Sequence, residues 1–275
     1  MENKILNLVR MPELTLYNGD CLEIMKELPE KSVDLIICDL PYGCLAGGPA
    51  IGKGKERVIA SGLTGCSWDI KIDLKAFWEQ VRRIRKNEHT PTIHFCTTKF
   101  GFELHASNPE EFRYDLVWDK QRGVSFLSAN KMPMRSHEMI YVFSKAGAFY
   151  ERKDISGNFE PYYVANKDIP SVASTQYGGA NRTTSNGGDG KRCALSVIRE
   201  MGGNRKTNGH PTEKPCDLYR FLIERYCPPG GTVLDPTFGS GNSVFTAYSM
   251  GRNGIGIEKD DGFFEKAAKK LNLLT

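Results

Sequence analysis

Short apolar runs alternate with amphipathic stretches along most of this chain, which predicts strands and helices in alternation. The clearest apolar run, 32–38, contains β-branched residues and has the length of a strand buried inside a parallel sheet. Six further segments are predicted as strands: 14–17, 92–96, 115–118, 139–143, 232–235 and 254–258.

Helical spacing marks several segments between these strands. The stretch 74–84 places its apolar side chains at intervals of three and four residues, which is typical of an amphipathic helix packed on a sheet. Three more segments are predicted as helices: 21–28, 217–226 and 242–250. The alternation of the two element types predicts an α/β fold.

The regular pattern stops between Lys145 and Gly209, where glycine, asparagine, serine and threonine cluster. This segment carries ten basic and six acidic residues, and the difference of +4 equals the net charge of the whole chain. Concentrated positive charge on a nearly neutral protein suits contact with a polyanion, and an unstructured linker is the alternative. We therefore expect three parts: 1–144, an insert at 145–209, and 210–275.

The composition of the 275 residues is that of a globular protein, with 40% hydrophobic, 10% aromatic and 25% charged positions. The sequence has neither a run of about 20 apolar residues nor the pattern of a secretory signal, so we expect no membrane contact and a cytoplasmic location. Eight cysteines are scattered without zinc-ligand spacing, and we expect no metal site.

A glycine-rich loop follows the predicted strand 232–235. It runs from Asp235 to Asn242 with the sequence Asp-Pro-Thr-Phe-Gly-Ser-Gly-Asn, and Glu258 ends the next strand, 23 positions after Asp235. Glycines let a backbone approach a ligand, and an acid at this place can bind ribose hydroxyls. Val244 stands where a dinucleotide site has its third glycine, so a dinucleotide is disfavoured. Plain turn packing is the alternative.

The second candidate site is the tetrapeptide formed by Asp39, Leu40, Pro41 and Tyr42, directly after the predicted strand 32–38. The carboxyl ends of strands in open α/β sheets form the ligand crevice. Asp39 and the backbone carbonyl of Leu40 can each accept one N–H of an exocyclic amine, which directs the nitrogen lone pair towards a methyl donor. Tyr42 can stack on a base, and Pro41 stiffens the turn. An ordinary turn after a strand is the alternative.

Together, the two motifs resemble those of DNA amino-methyltransferases. The loop that begins at Asp235 is similar to the motif by which this family binds S-adenosyl-L-methionine, and the tetrapeptide is similar to [D/N/S]-P-P-[Y/F/W], with Leu40 replacing the first proline. Because the tetrapeptide precedes the loop, the chain resembles the circularly permuted β-class. The resemblance implies a mixed, mostly parallel, seven-stranded Rossmann-like sheet with helices on both faces and an inserted target-recognition region.

Two shorter patches, 18–21 and 210–215, are similar to family segments that contact the cofactor adenine and precede the cofactor loop. The resemblance assigns catalysis to Asp39, Leu40, Pro41 and Tyr42. It assigns cofactor binding to Asp20, Cys21, Asp39, His210, Thr212, Lys214, Pro215, Asp235, Pro236, Phe238, Gly239, Ser240, Gly241, Asn242 and Glu258. The alternatives are that Asp20 caps a helix and that Lys214 is an ordinary solvated charge.

The resemblance implies a site-specific DNA methyltransferase that methylates N6 of an adenine flipped out of double-stranded DNA. Within the family, an aspartate-led tetrapeptide that ends in tyrosine favours adenine N6 over cytosine N4. We expect the insert to contact DNA through Arg182, Lys191, Arg192, Arg205 and Lys206. The stretch 47–65 is expected to form a mobile loop near the catalytic pocket.

Other functions remain open at this point. The closest is a cytosine-N4 DNA methyltransferase, followed by an RNA or protein-glutamine methyltransferase and a DNA-binding module without catalysis. A homodimer and a cognate restriction nuclease are both compatible with the resemblance.

Overall fold

The computed structural model describes residues 12–43, 70–124, 126, 129–156, 191–199 and 213–273. The chain divides into two compact units, one of Met1–Glu151 with Ser196–Thr275 and one of Arg152–Leu195. The expected loop 47–65 lies outside the described residues, as does most of the expected insert.

The described part contains ten strands and six helices. The strands are β1 (Leu14–Asn18), β2 (Leu35–Cys38), β3 (Thr92–Cys96), β4 (Phe112–Val124), β5 (Arg135–Phe143), β6 (Ile155–Ser156), β7 (Lys191–Arg192), β8 (Val197–Ile198), β9 (Thr232–Asp235) and β10 (Asn253–Glu258). The helices are α1 (Cys21–Glu27), α2 (Leu74–Ile84), α3 (Thr98–Ser107), α4 (Cys216–Tyr226), α5 (Asn242–Ser249) and α6 (Asp261–Asn272).

Eight of the strands form one sheet in the order β1-β10-β9-β2-β3-β5-β4-β8. Neighbours from β1 to β3 are parallel, β5 is antiparallel to both β3 and β4, and β8 is parallel to β4. The mixed, mostly parallel sheet is therefore confirmed, with the short strand β8 in addition to the seven expected. In the smaller unit, β6 and β7 form an antiparallel pair.

Helices cover both faces of this sheet, as expected. On β2, Ile36 packs in a cluster with side chains of α1, α2 and α3, whereas its neighbour Ile37 packs with side chains of α4 and α5. Successive side chains of a strand point to opposite faces, so a strand buried on both sides needs apolar residues at every position. That requirement explains the continuous apolar run in this part of the sequence.

The direction of the chain connections changes between β9 and β2. These strands are neighbours, but the chain leads from β9 to β10 on one side and from β2 to β3 on the other. In open α/β sheets, ligands bind in the crevice beyond the carboxyl ends of the strands at such a switch point. Asp235 and Asp39 lie at the ends of these two strands.

Two helices and part of the β4–β5 pair are additions to the predicted elements. Helices α3 and α6 were not expected, and β4 has 13 residues instead of the predicted four. Among the described residues, no helix is long and apolar enough to cross a membrane.

Candidate active site

The carboxylate of Asp39 is held by two hydrogen bonds just beyond the end of β2. The Tyr42 hydroxyl donates to Oδ1 at 2.6 Å, and the Lys214 ammonium donates to Oδ2 at 2.6 Å. The Asp39 side chain is 21% exposed, whereas that of Lys214 is only 4% exposed. The carboxylate is thus fixed in orientation but remains open on one side.

Lys214 also contacts a second carboxylate, that of Glu138 on β5. Its Nζ lies 3.3 Å from Glu138 Oε2, and Glu138 Oε1 accepts a hydrogen bond from Lys120. Burial lowers the pKa of Lys214, but Asp39 and Glu138 outweigh burial and raise this pKa to about 12. Burial likewise opposes ionisation of Glu138, but the two lysines hold its pKa below the usual value. Lys214 is therefore not a solvated charge.

The rest of the tetrapeptide is packed into the fold. The Leu40 side chain is 2% exposed and belongs to the core cluster under α1 and α2. The Tyr42 ring lies 5.0 Å from the Phe100 ring at 34°. Burial, followed by the negative charge of Asp39, raises the pKa of Tyr42 well above its ordinary value, so the phenol stays a donor. Leucine in place of the expected proline thus contributes an apolar anchor to this turn.

The glycine-rich loop depends on two left-handed residues. Gly239 has φ 54° and Gly241 has φ 79°, a region that other residues rarely adopt. A Cβ atom on Gly241 would lie 2.7 Å from the Phe245 ring. The Phe238 amide donates to the carbonyl of Ile257 at 3.1 Å, which ties the loop to β10. Glycine is therefore required at position 241, both because the backbone is left-handed and because a side chain would collide with Phe245.

Asp235 stabilises this loop through hydrogen bonds of its buried carboxylate. Its side chain is 1% exposed, Oδ1 accepts from the Thr237 amide at 3.0 Å, and Oδ2 accepts from the Ser243 hydroxyl at 2.5 Å. Burial raises the pKa of Asp235 to about 7, despite these hydrogen bonds. Asp235 is buried beneath the loop and does not line the cavity described below, so its contacts are structural.

Two other predicted acids lie at the rim of the crevice. Glu258 accepts from the Gly239 amide through Oε2 at 2.8 Å and from the Asp260 amide through Oε1 at 2.8 Å. Asp20 accepts from the Leu22 amide at 3.0 Å and pairs with Lys259 at 3.2 Å. Asp20 thus caps α1, as in the alternative interpretation, and it also lines the cavity at the centre of the site.

This cavity of about 480 Å³ joins both motifs. The predicted site residues that line it are Asp20, Cys21, Asp39, Leu40, Pro41, Tyr42, Lys214, Pro236, Phe238, Gly239, Ser240 and Glu258. The predicted residues Pro215, Asp235, Gly241 and Asn242 are described but are not among its lining residues. The predicted residues His210, Thr212, Arg182, Arg205 and Lys206 lie outside the described residues.

The remaining predicted residues lie in a strand or at the start of a helix. Lys191 and Arg192 form β7, of which only the backbone is described. Pro215 precedes α4, and the Asn242 side chain donates to Glu213 Oε1 at 2.6 Å and to the carbonyl of Lys214 at 2.9 Å. Asn242 therefore links the start of α5 to the segment that carries Lys214.

Several lining residues were missed by the sequence analysis, among them Glu138, Thr237 and Phe263. Thr237 lies inside the recognised loop, and its hydroxyl donates to the carbonyl of Asp39 at 3.3 Å, which connects the two motifs directly. The segment from His137 to Glu138 also resembles the family, but the resemblance assigned no role to Glu138, and a glutamate on a strand is ordinarily a solvated residue.

A profile of the family described as DNA methylase, covering N6 and N4 methyltransferases, matches residues 33–270. The chain belongs to this DNA methylase family. Its members transfer methyl groups from S-adenosyl-L-methionine to amino nitrogens of DNA bases. The family expected from the two motifs is therefore confirmed.

Relatives of this DNA methylase agree in sequence and fold. The type II methyltransferase M.HinfI of Haemophilus influenzae is 25% identical over 277 residues, a match that covers 94% of this chain and 68% of the relative. The M1.HpyAVI–SAM complex has a TM-score of 0.56 and 18% identity, with 94% and 100% of the two chains covered. The cytosine-N4-specific PvuII DNA methyltransferase has a TM-score of 0.60 and 16% identity, with 94% and 86% covered. At this identity, the solved structures support the fold.

The cavity of this DNA methylase fits S-adenosyl-L-methionine in size and chemistry. Its volume lies in the range of about 300–1,000 Å³ that is typical of small-molecule sites. Asp20 and Glu258 offer carboxylate acceptors for hydroxyl and amino groups, and Phe238 and Phe263 offer apolar surface. The left-handed turn at Gly239 brings the backbone to the cavity wall, where a side chain would take up space.

Proposed function

We propose that this DNA methylase methylates N6 of an adenine that is rotated out of double-stranded DNA. One observation carries the proposal: the fixed carboxylate of Asp39 lines the same cavity as the glycine-rich loop. A methyl donor on the loop and a base at Asp39 would therefore be neighbours. Rotation of the base is required because the amino group is otherwise inaccessible within the duplex.

Asp39 and the carbonyl of Leu40 act as the acceptors for the two amino hydrogens. The exocyclic nitrogen is a weak nucleophile because its lone pair is delocalised into the ring. Two acceptors in fixed positions favour the pyramidal nitrogen and direct its lone pair into the cavity. The Tyr42 hydroxyl and the Lys214 ammonium hold the carboxylate plane, so little reorganisation is needed when the base arrives.

The residues that would hold the cofactor are those of the glycine-rich loop together with Asp20 and Glu258. When bound, S-adenosyl-L-methionine supplies an electrophilic methyl group. Glu258 and Asp20 would accept hydrogen bonds from its hydroxyl and amino groups, and Gly239 and Ser240 would hold it through the cavity wall that they line. Asp235, Gly241 and Asn242 act through the loop and α5 without lining the cavity.

DNA is the substrate proposed for this pocket, and the segment 145–209 is the proposed recognition region. Its basic residues include Lys191 and Arg192, which form β7. Arginine and lysine side chains bind base edges and phosphates, which suits that role. The boundaries of this region stay a prediction. So does the assignment of 1–144 to catalysis and of 210–275 to cofactor binding.

The choice of adenine rests on the tetrapeptide, which begins with aspartate and ends with tyrosine. The test is to express the protein in cells that lack DNA amino-methylation and to analyse their DNA by nucleoside mass spectrometry and single-molecule sequencing. We expect N6-methyladenine in one sequence motif, and far less of it with Asp39→Asn. Detection of N4-methylcytosine instead would mean that the protein methylates cytosine and not adenine. Unmodified DNA in cells that contain folded wild-type protein would refute the proposed function.

A further inference from the structure

The hairpin between β4 and β5 reaches beyond the sheet. Asp119 pairs with His137, and Val124 pairs with Arg135. An advance of five residues along β4 therefore corresponds to only two residues along β5, so β4 contains extra residues here. Gln121 sits within this irregularity in the left-handed region, with φ 55°. Extra residues of this kind bend a strand and change the direction of the residues after them. Every described residue from 121 to 134 is exposed.

Apolar side chains project from this exposed hairpin. Phe126 is 76% exposed, Met132 59% and Val124 43%. Met134 packs across the backbone of Gly123, where an added Cβ atom would lie 2.8 Å from its terminal methyl carbon. Burying these side chains would be favourable, and their grouping on one projection is typical of a surface that binds a partner.

The positive charge of the hairpin indicates that its partner is negatively charged. Lys120, Arg122, Lys131 and Arg135 are basic, and the sequence from 120 to 135 contains no acidic residue. Lys120 and Arg135 are bound at the base of the hairpin, to Glu138 and to the Thr98 hydroxyl. Arg122 and Lys131 are exposed on the projecting part. Positive charge without acids suits the phosphate backbone of a nucleic acid.

The hairpin leaves the sheet at the edge that holds the active site. β3 is parallel to β2, and β5 is antiparallel to β3, so β5 begins where β2 and β3 end. The hydrogen bond from Arg135 to Thr98, just after β3, spans 2.7 Å at this edge. Lys120 and Glu138 connect the base of the hairpin to Lys214 and so to Asp39. DNA bound at the cavity would therefore pass the hairpin.

We propose that this hairpin is a second DNA-binding element, in addition to the segment 145–209. Arg122 and Lys131 bind phosphates, while Phe126 and Met132 enter the base stack beside the extruded nucleotide. Rotating a base out of the duplex leaves an apolar gap, and side chains that fill such a gap stabilise the distorted DNA. This assignment rests on the proposed function.

The first experiment separates the charges from the apolar side chains. Binding of a 30-base-pair duplex is measured at several salt concentrations for the wild type and for the double variant Arg122→Gln/Lys131→Gln. Two lost phosphate contacts should reduce the slope of log K against log salt by about 1.8. An unchanged slope would refute the phosphate contacts.

The second experiment uses duplexes with 2-aminopurine at the methylated adenine identified by sequencing. On these duplexes, the double variant Phe126→Ala/Met132→Ala should lose most of the fluorescence increase on binding. Since 2-aminopurine lacks the N6 amino group, methyl transfer is measured on unmodified duplexes, where kcat/KM should fall by at least about fivefold, a typical loss for one stacking contact. The salt slope of the variant should stay that of the wild type. Wild-type values of the fluorescence increase and of kcat/KM in this variant would refute the insertion.

The matched control is Leu273→Ala. Leu273 is 86% exposed and follows the last residue of α6, about 18 Å along the helix from its start beside the cavity. Cofactor binding by calorimetry and the melting temperature should be unchanged in every variant. Failure of the proposed function would appear as absent methyl transfer in the wild type, whereas failure of the hairpin assignment would leave wild-type transfer intact and the salt slope of the variant unchanged.

Discussion

The ammonium of Lys214 lies 2.6 Å from the carboxylate of Asp39, although the two residues are 175 positions apart. Asp39 follows β2 in the first part of the chain, and Lys214 precedes α4 in the last part. The contact therefore joins the segment after β2 to the segment before α4. It also makes Lys214 a positioning residue for the proposed acceptor.

The substitution Asp39→Asn tests that acceptor with almost no change in volume. We expect kcat to fall by about 10²–10³-fold, the usual loss when one preorganised polar contact to a reacting group is removed. Cofactor binding, followed by calorimetry, should change by only a few fold. A variant with near-normal kcat would remove Asp39 from the mechanism.

The substitution Lys214→Met leaves Asp39 and Glu138 without the ammonium between them. Breaking a buried ion pair by removing one partner destabilises a protein by about 3–5 kcal/mol, and the partial exposure of Asp39 favours the lower end. Urea unfolding measures the loss. Lys26→Met is the control, since Lys26 pairs with Glu23 on an exposed helix surface and its loss should leave stability unchanged. Equal stability of Lys214→Met and the wild type would contradict the role of the buried pair.

The buried carboxyl of Asp235 should make stability depend on pH. Burial raises its pKa to about 7, so the folded protein holds this proton more tightly than the unfolded chain, where the value is 3.8. Its contribution is therefore complete below pH 3.8 and is lost as pH rises through about 7. In Asp235→Asn, the unfolding free energy should fall less than in the wild type between pH 4 and pH 7. Parallel pH profiles of the two proteins in urea unfolding would contradict the raised pKa.

Substitutions at two glycines with nearly the same backbone conformation distinguish the cost of backbone strain from the cost of a steric clash. Gly241 has φ 79° and Gly251 has φ 75°, but an added Cβ atom collides with Phe245 only at position 241 and meets nothing within 4 Å at position 251. Alanine should cost about 1–2 kcal/mol at either position because of the left-handed backbone. Only Gly241→Ala should also weaken binding of S-adenosyl-L-methionine in calorimetry, because its loop must move. Equal affinities of the two variants would contradict this account of the loop.

Much of the sheet was predictable because its central strands are buried on both faces. β2 is a continuous apolar run, and β9 buries Val233 and Leu234 before it ends at Asp235. The residues at and after these strand ends form the candidate site. Helix α3 escaped prediction because it contains Gly101 and buries only three residues, which leaves a weak helical pattern. The outer half of β4 escaped because five of its six residues, 119–123, are polar or glycine and none of the six is buried.

The site was predictable as a set of segments, but the tasks of individual residues were less so. Asp235 and Asn242 belong to the recognised motif, yet their side chains bind other parts of the protein. A sequence motif does not distinguish a residue that shapes a loop from one that touches the ligand. The role of Glu138 could not be predicted, because it depends on Lys214 and Lys120, which only the folded chain brings to it.

The alternating charges of Asp39, Lys214, Glu138 and Lys120 sum to zero within a largely buried row. Replacing one member would leave an uncompensated charge where water cannot screen it, whereas replacing two adjacent members of opposite sign would keep the balance. Divergent descendants of this chain should consequently exchange these positions in pairs. The row thus constrains how the enzyme can evolve as well as how the proposed acceptor Asp39 is held.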